Sequence, residues 1–217
     1  MSRLLSIPCL RRACPLLLLL VFSLPGHAQS STKLADAFKA SYASEAAGKY
    51  LDAFQAIVQV LQGNEDNYVV VMRLGYLKGM MGEYQEAARL YGSAAALKPD
   101  AVEPLVYQQY QFLLMTDWSA LAASSREALK RDTQNYSSRS RLGYALYNMG
   151  RYSEAGENYS RVSALYPLDL EALTMRGWCY ARLNRKGSAS QLFREVLTIS
   201  PDYQSAKDGL AYLDTLR

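Results

Sequence analysis

Histidine and cysteine, the residue types that most nucleophilic catalysis and zinc binding draw on, are scarce in this chain. It holds one histidine, His27, and three cysteines, Cys9, Cys14 and Cys179. Arg3, Arg11 and Arg12 precede an apolar run from Leu16 to Leu24, and Gly26-His27-Ala28 then offers small residues where a signal peptidase reads. This order predicts a secretory signal peptide over 1–28, cleaved before Gln29. The apolar run is about half the length that spans a bilayer, so no stable membrane insertion is expected after cleavage. Arg11-Arg12 is followed by Ala13-Cys14-Pro15 in place of the usual twin-arginine continuation, which points to the general secretory route. Cys9 and Cys14 stand before the apolar run, where a lipoprotein cysteine would follow it. The mature chain is therefore expected in the periplasm or outside the cell.

His27, Cys9 and Cys14 leave with such a leader, and Cys179 remains as the only cysteine. A Ser-His-Asp or Cys-His nucleophile, a zinc site with histidine ligands and a disulfide are then all ruled out within the mature monomer. Beside Trp178 on a helix, Cys179 reads as a small packing residue and not as a reactive thiol. No Gly-rich phosphate loop follows a strand, and the carboxylates are scattered over helix faces. No catalytic residue, cofactor site or metal site is expected, and the chain reads as non-enzymatic. Three of the 24 Lys and Arg also leave, so 21 stand against 20 acidic residues in the mature chain. That near-neutral balance gives nucleic acid no electrostatic footing. Arg176, Arg182, Arg185, Lys186 and Arg194 make one stretch mildly basic, either as a solvated face or as a patch for an acidic ligand.

The residues left with binding chemistry are aromatic. Tyr42, Tyr76, Tyr110, Tyr144, Trp178 and Tyr212 follow one another every 34 residues. Such rings offer a large contact area with few rotatable bonds and a polar tip, which suits them to grip a peptide. What positions them is a repeat. Gly75, Gly143 and Gly177 recur in the same register, as do Ala53, Ala87, Ala155 and Ala189, and Pro99, Pro167 and Pro201. A 34-residue period is that of a helix-turn-helix unit that stacks into a solenoid. The small residues let paired helices approach, and Gly48, Gly82 and Gly150 fall where a helix would end in a left-handed conformation. The prolines close the second helices, with Asp100, Asp169 and Asp202 expected to cap the helices that follow. No strand alternation competes with this reading.

The columns resemble the tetratricopeptide repeat. Leu74-Gly75, Gly82-Glu83-Tyr84, Ala87, Tyr91, Ala94 and Pro99 fill its pattern in one unit, and Leu142-Gly143, Gly150-Arg151-Tyr152, Ala155, Tyr159 and Pro167 in another. The first unit is degenerate, with Ser41 and Glu65 in the glycine and proline slots. The fifth replaces the Gly-Arg-Tyr turn by Asn184-Arg185-Lys186. The third departs furthest, with Gln109, Leu121, Ser125 and Thr133 where Gly, Ala, an aromatic and Pro belong.

The resemblance implies an all-α, right-handed superhelical solenoid of five units, 34–67, 68–101, 102–135, 136–169 and 170–203. A short tail, 29–33, would precede it and a capping helix, 204–217, would close it with Gln204, Lys207, Asp208 and Asp214 facing water. It further implies that first helices line a concave groove, walled by Phe38, Tyr42, Met72, Tyr76, Val106, Tyr110, Tyr144, Tyr147, Trp178, Arg182 and Tyr212. The competing reading has the rings stacked between adjacent helices as core. Cytosolic co-chaperone members of the family carry a clamp of Lys and Asn in slots that here hold Phe38, Met72 and the aromatic column, so an acidic chaperone tail is not the expected ligand. The expected role is a non-catalytic scaffold of the bacterial envelope that holds a peptide or helical segment of an envelope protein. Head-to-tail self-assembly and binding of a cell-wall or exopolysaccharide carbohydrate are the alternatives.

Overall fold

The computed structural model describes the backbone of residues 25–216 and the side chains of 32–216. Residues 1–24, which hold most of the expected signal peptide, lie outside the described residues. Eleven helices and no strand occur among those described. They form five antiparallel pairs: α1 (Pro25–Ala46) with α2 (Tyr50–Val58), α3 (Tyr68–Met80) with α4 (Tyr84–Leu97), α5 (Glu103–Leu114) with α6 (Trp118–Arg131), α7 (Tyr136–Asn148) with α8 (Tyr152–Leu165), and α9 (Leu170–Arg182) with α10 (Lys186–Ile199). A final helix, α11 (Gln204–Thr215), closes the stack on α10 and α9. Each helix packs on the next, as a solenoid requires. Two features differ from expectation in the first unit: α1 runs helically through 29–33, expected as a tail, and α2 stops at Val58.

The turn inside each pair is one device used five times. The amide of Lys49, Glu83, Asp117, Arg151 and Arg185 donates to the carbonyl five residues earlier, and the residue before each of these has positive φ. This is the Schellman ending, whose left-handed residue is ordinarily glycine. Gly48, Gly82 and Gly150 fill the position as expected. Asn184 takes it in the fifth unit at φ 56°, which its short polar side chain tolerates, and Thr116 takes it in the third at φ 54°. A β-branched residue there is strained.

Capping of the first helices corrects one expectation. Asp169 caps α9 as foreseen, its Oδ1 accepting from the Ala172 amide at 2.9 Å. Asp100 and Asp202 cap nothing: α5 starts after Val102 with Pro104 in its first turn, and Asp202 pairs with Lys207 at 2.8 Å. The residues in the capping slot before these helices are Asn67, Val102, Asn135, Asp169 and Tyr203, so Asp100 stands two residues early and Asp202 one, and neither reaches the free amides. Asn67 and Asn135 occupy that slot and cap α3 and α7, with Oδ1 accepting from Val69 at 3.1 Å and from Ser138 at 3.0 Å.

The small-residue columns form the crossings. A Cβ on Gly75 would lie 3.1 Å from the Tyr91 ring, one on Gly143 2.9 Å from Tyr159, and one on Gly177 2.7 Å from Phe193. Each glycine makes room for the aromatic ring of its own second helix. In the third unit the exchange is reversed, because a long residue, Gln109, stands in the glycine slot and Ser125 in the ring slot, both fully buried. The Gln109 amide donates to Ser138 Oγ at 3.0 Å, but Gln109 Oε1 and Ser125 Oγ find no partner. The irregular unit keeps its helices at the cost of buried unsatisfied oxygens.

Candidate functional site: two related clefts

On the first-helix face, α1, α3 and α5 enclose a cleft of about 680 Å3. Phe38, Tyr42, Met72, Tyr76 and Tyr107 wall it, and Tyr91 lies beneath. Its floor carries a buried cation. Arg73, on α3, donates through Nε and Nη2 to Ser41 Oγ at 3.1 and 2.9 Å, and through Nη1 to Glu45 Oε2 at 2.6 Å. The Tyr42 ring covers the guanidinium at 4.1 Å, and the Tyr76 hydroxyl donates to Glu45 Oε1 at 2.6 Å. Each nitrogen of the Arg73 guanidinium thus has a partner from within the chain, one of them a carboxylate, which is what a desolvated charge needs. The same contacts set the titration of its neighbours. The Tyr76 hydroxyl, then Arg73, hold the Glu45 carboxyl below the ordinary range, and the bond to Glu45 pushes the Tyr76 phenol up to about 12.

Two units further along, a second cleft of about 600 Å3 has the same plan. Adding 68 to a residue number of the first cleft gives its counterpart: Tyr50 becomes Trp118, Met72 Ser140, Arg73 Arg141, Tyr76 Tyr144, Tyr91 Tyr159 and Glu103 Glu171. One replacement alters the electrostatics, because Glu45 becomes Leu113. Arg141 therefore has no ion pair among the described residues, and its one hydrogen bond runs from Nη1 to the Val106 carbonyl at 2.6 Å. Burial holds its guanidinium below the ordinary arginine range, partly offset by the Tyr110 hydroxyl. Trp118 and Tyr144 meet edge to face at 5.5 Å on the wall.

The structure divides the 34-residue aromatic column. Tyr42, Tyr110 and Tyr144 are 55%, 47% and 37% exposed, and Tyr76 is half-buried in the first cleft. Trp178 and Tyr212 instead pack together, both at the edge of the C-terminal core, with Trp178 5.5 Å from both Phe193 and Tyr212. Trp178 Nε1 donates to Ser205 Oγ at 3.0 Å, so α11 seals that end of the column. Val106 lines neither cleft and contributes its carbonyl to Arg141. Tyr147 stacks edge-on against Tyr152, to whose hydroxyl Arg182 donates at 2.9 Å. The expected basic face is partly spent on rings, since Arg176 and Arg185 also sit by Tyr180. Cys179 is buried, and burial pushes its thiol up to about 12, so it packs as expected.

Sequence reasoning missed Arg73 and Arg141, the two groups that differentiate the clefts. Their signal was present: two arginines exactly two periods apart, one position beyond the Met72 and Ser140 slots.

Residues 140–203 match the family model of the tetratricopeptide repeat. No curated protein matches the chain. Among solved structures, MamA superposes with a TM-score of 0.72 at 17% identity, over 80% of this chain and 97% of that one. A tetratricopeptide repeat protein from Parabacteroides merdae ATCC 43184 gives 0.75 at 14%, over 84% and 72%. YrrB, described as a tetratricopeptide repeat protein with an unusual peptide-binding site, gives 0.71 at 14%, over 86% and 96%. At such identities the likeness is one of fold, and the fold is the tetratricopeptide-type solenoid.

Proposed function

We propose that this chain is a non-catalytic interaction scaffold of the bacterial envelope, exported by the leader at 1–28 to the periplasm or beyond, and that it captures a peptide or helical segment of a protein partner across its first-helix face. The observation that carries this is the pair of aromatic-walled clefts on that face, with the exposed Tyr110 on α5, the helix that contributes residues to both. Exposed tyrosines on a rigid helical frame bind with little loss of side-chain entropy, and cleft walls exclude water from the contact. The peptide-binding site named for YrrB, a protein of the same fold, adds support.

Peptides selected from a displayed random library on the purified chain provide the test. Replacing Tyr42, Tyr110 and Tyr144 together by Ser is expected to weaken the selected peptides at least tenfold in fluorescence anisotropy, with unchanged helical circular dichroism. Undiminished binding would sink the groove. For export, the mature N-terminus read by protein sequencing is expected at Gln29; recovery of the intact N-terminus in the cytosol would refute it.

A further inference from the structure

The two clefts are copies of one site, and the first shows what satisfies its arginine: the carboxylate of a helix-borne glutamate with an aromatic ring three residues before it, Glu45 after Tyr42. In the second cleft the guanidinium is kept and the glutamate is gone. Leu113 stands in its place, Gln109 in the place of Ser41, and Arg141 keeps one hydrogen bond, to the Val106 carbonyl, with the Tyr110 hydroxyl near it and no carboxylate paired to it. Glu171 on the rim forms no ion pair with it, as Glu103 forms none with Arg73. A desolvated arginine without a counter-charge costs stability, and a fork of free N–H groups facing a cleft matches a carboxylate in two-point geometry.

We infer that the second cleft binds the side-chain carboxylate of a Glu or Asp in the partner segment, which takes at Arg141 the place that Glu45 holds at Arg73. This rests on the peptide-capture reading above and specifies its ligand. The walls fix the surroundings of that acid. Trp118, Tyr144 and Leu113 favour apolar or aromatic residues next to it, and the exposed Glu171 at the rim disfavours a run of several acids. The ligand is thus a single acid within an apolar segment, which is a different thing from an acidic tail. The first cleft, neutralised from within, has no such requirement and takes apolar side chains between Phe38 and Met72.

The library selection also tests this, with two variants added. Arg141→Gln removes the cation, and Leu113→Glu supplies an internal carboxylate that reproduces the first cleft without touching the arginine. The expected result is enrichment of one Glu or Asp flanked by apolar residues. Both variants should weaken the selected peptides on the order of tenfold, as loss of a charge-assisted hydrogen bond does, and should abolish the preference for that acid over its Gln or Asn analogue. Leu113→Glu guards against misfolding as the cause, because its helical content is expected to match the parent. Selected peptides with no acidic preference, or with a preference that survives Leu113→Glu, would overturn the inference and leave the scaffold reading standing. Binding that depends only on a free peptide C-terminus, lost on amidation, would overturn the side-chain source. Failure to select any peptide would strike at the scaffold reading itself.

Discussion

The cleft of the first two units and the cleft of the third and fourth differ in what their arginine can reach. Arg73 and Arg141 stand in the same helical register, over the same tyrosine floor, beside the same tyrosine wall. One is closed by Ser41, Glu45 and the Tyr42 ring, so its charge serves the structure. The other shares its cleft with Leu113 in place of a glutamate and forms no ion pair among the described residues. The comparison teaches that in a repeat array exchanges on a neighbouring helix, here Glu45 for Leu113 and Ser41 for Gln109, can leave the same arginine paired in one unit and without an ion pair in another. Gly48 and Thr116, also counterparts, extend the contrast: the second cleft is built next to a turn that carries strain.

The largest effect should show the clefts to be alike. Tyr91 and Tyr159 are buried beneath them, so Tyr91→Ala and Tyr159→Ala should each destabilise the chain by about 3–5 kcal/mol in urea denaturation. A cost confined to one of the two would break the equivalence of the clefts. The next effect should separate them. Glu45→Gln leaves Arg73, whose side chain is 6% exposed, without its counter-charge, and should cost about 2 kcal/mol after discounting for the partial exposure of Glu45. Arg141→Leu, at the equivalent register, should be neutral within about 1 kcal/mol or stabilising, because it removes an unpaired cation. Equal penalties for the two would refute the difference in pairing.

The pH dependence sharpens the same point. Because the folded chain holds the Glu45 carboxyl below its ordinary 4.5, the stability it contributes is complete above that value and fades as pH falls through the folded one. Acid titration of unfolding should therefore be shallower in Glu45→Gln than in the parent. A slope unchanged by that substitution would remove the pair from the stability account. The smallest expected effect is at the strained turn, where Thr116→Gly should add about 1 kcal/mol, against a loss for Gly48→Thr.

Much of the fold was legible before any coordinates. The period, the five helix pairs and the closing helix follow from columns of small and aromatic residues, because each column answers a local demand: a glycine where a ring must cross, a left-handed residue where a helix must end. The errors were of phase. Asp100 lies two residues and Asp202 one residue before the capping position, and capping has no tolerance for that. The site was less legible. The column of six rings is aromatic throughout in sequence, yet Trp178 packs against Tyr212 of the closing helix while Tyr42 and Tyr110 stand exposed.

The amino-acid sequence by itself determined the repeat, its all-helical solenoid and the scarcity of histidine and cysteine, since these depend on composition and on spacing along one chain. Only the tertiary structure decided which cation is paired. Glu45 and Arg73 lie on different helices, 2.6 Å apart across a packed interface, and nothing local to either residue announces the other. Their counterparts Leu113 and Arg141 gain meaning only when the same packing brings both into one cleft, because electrostatic pairing is fixed by distance through space and by burial, and not by distance along the chain.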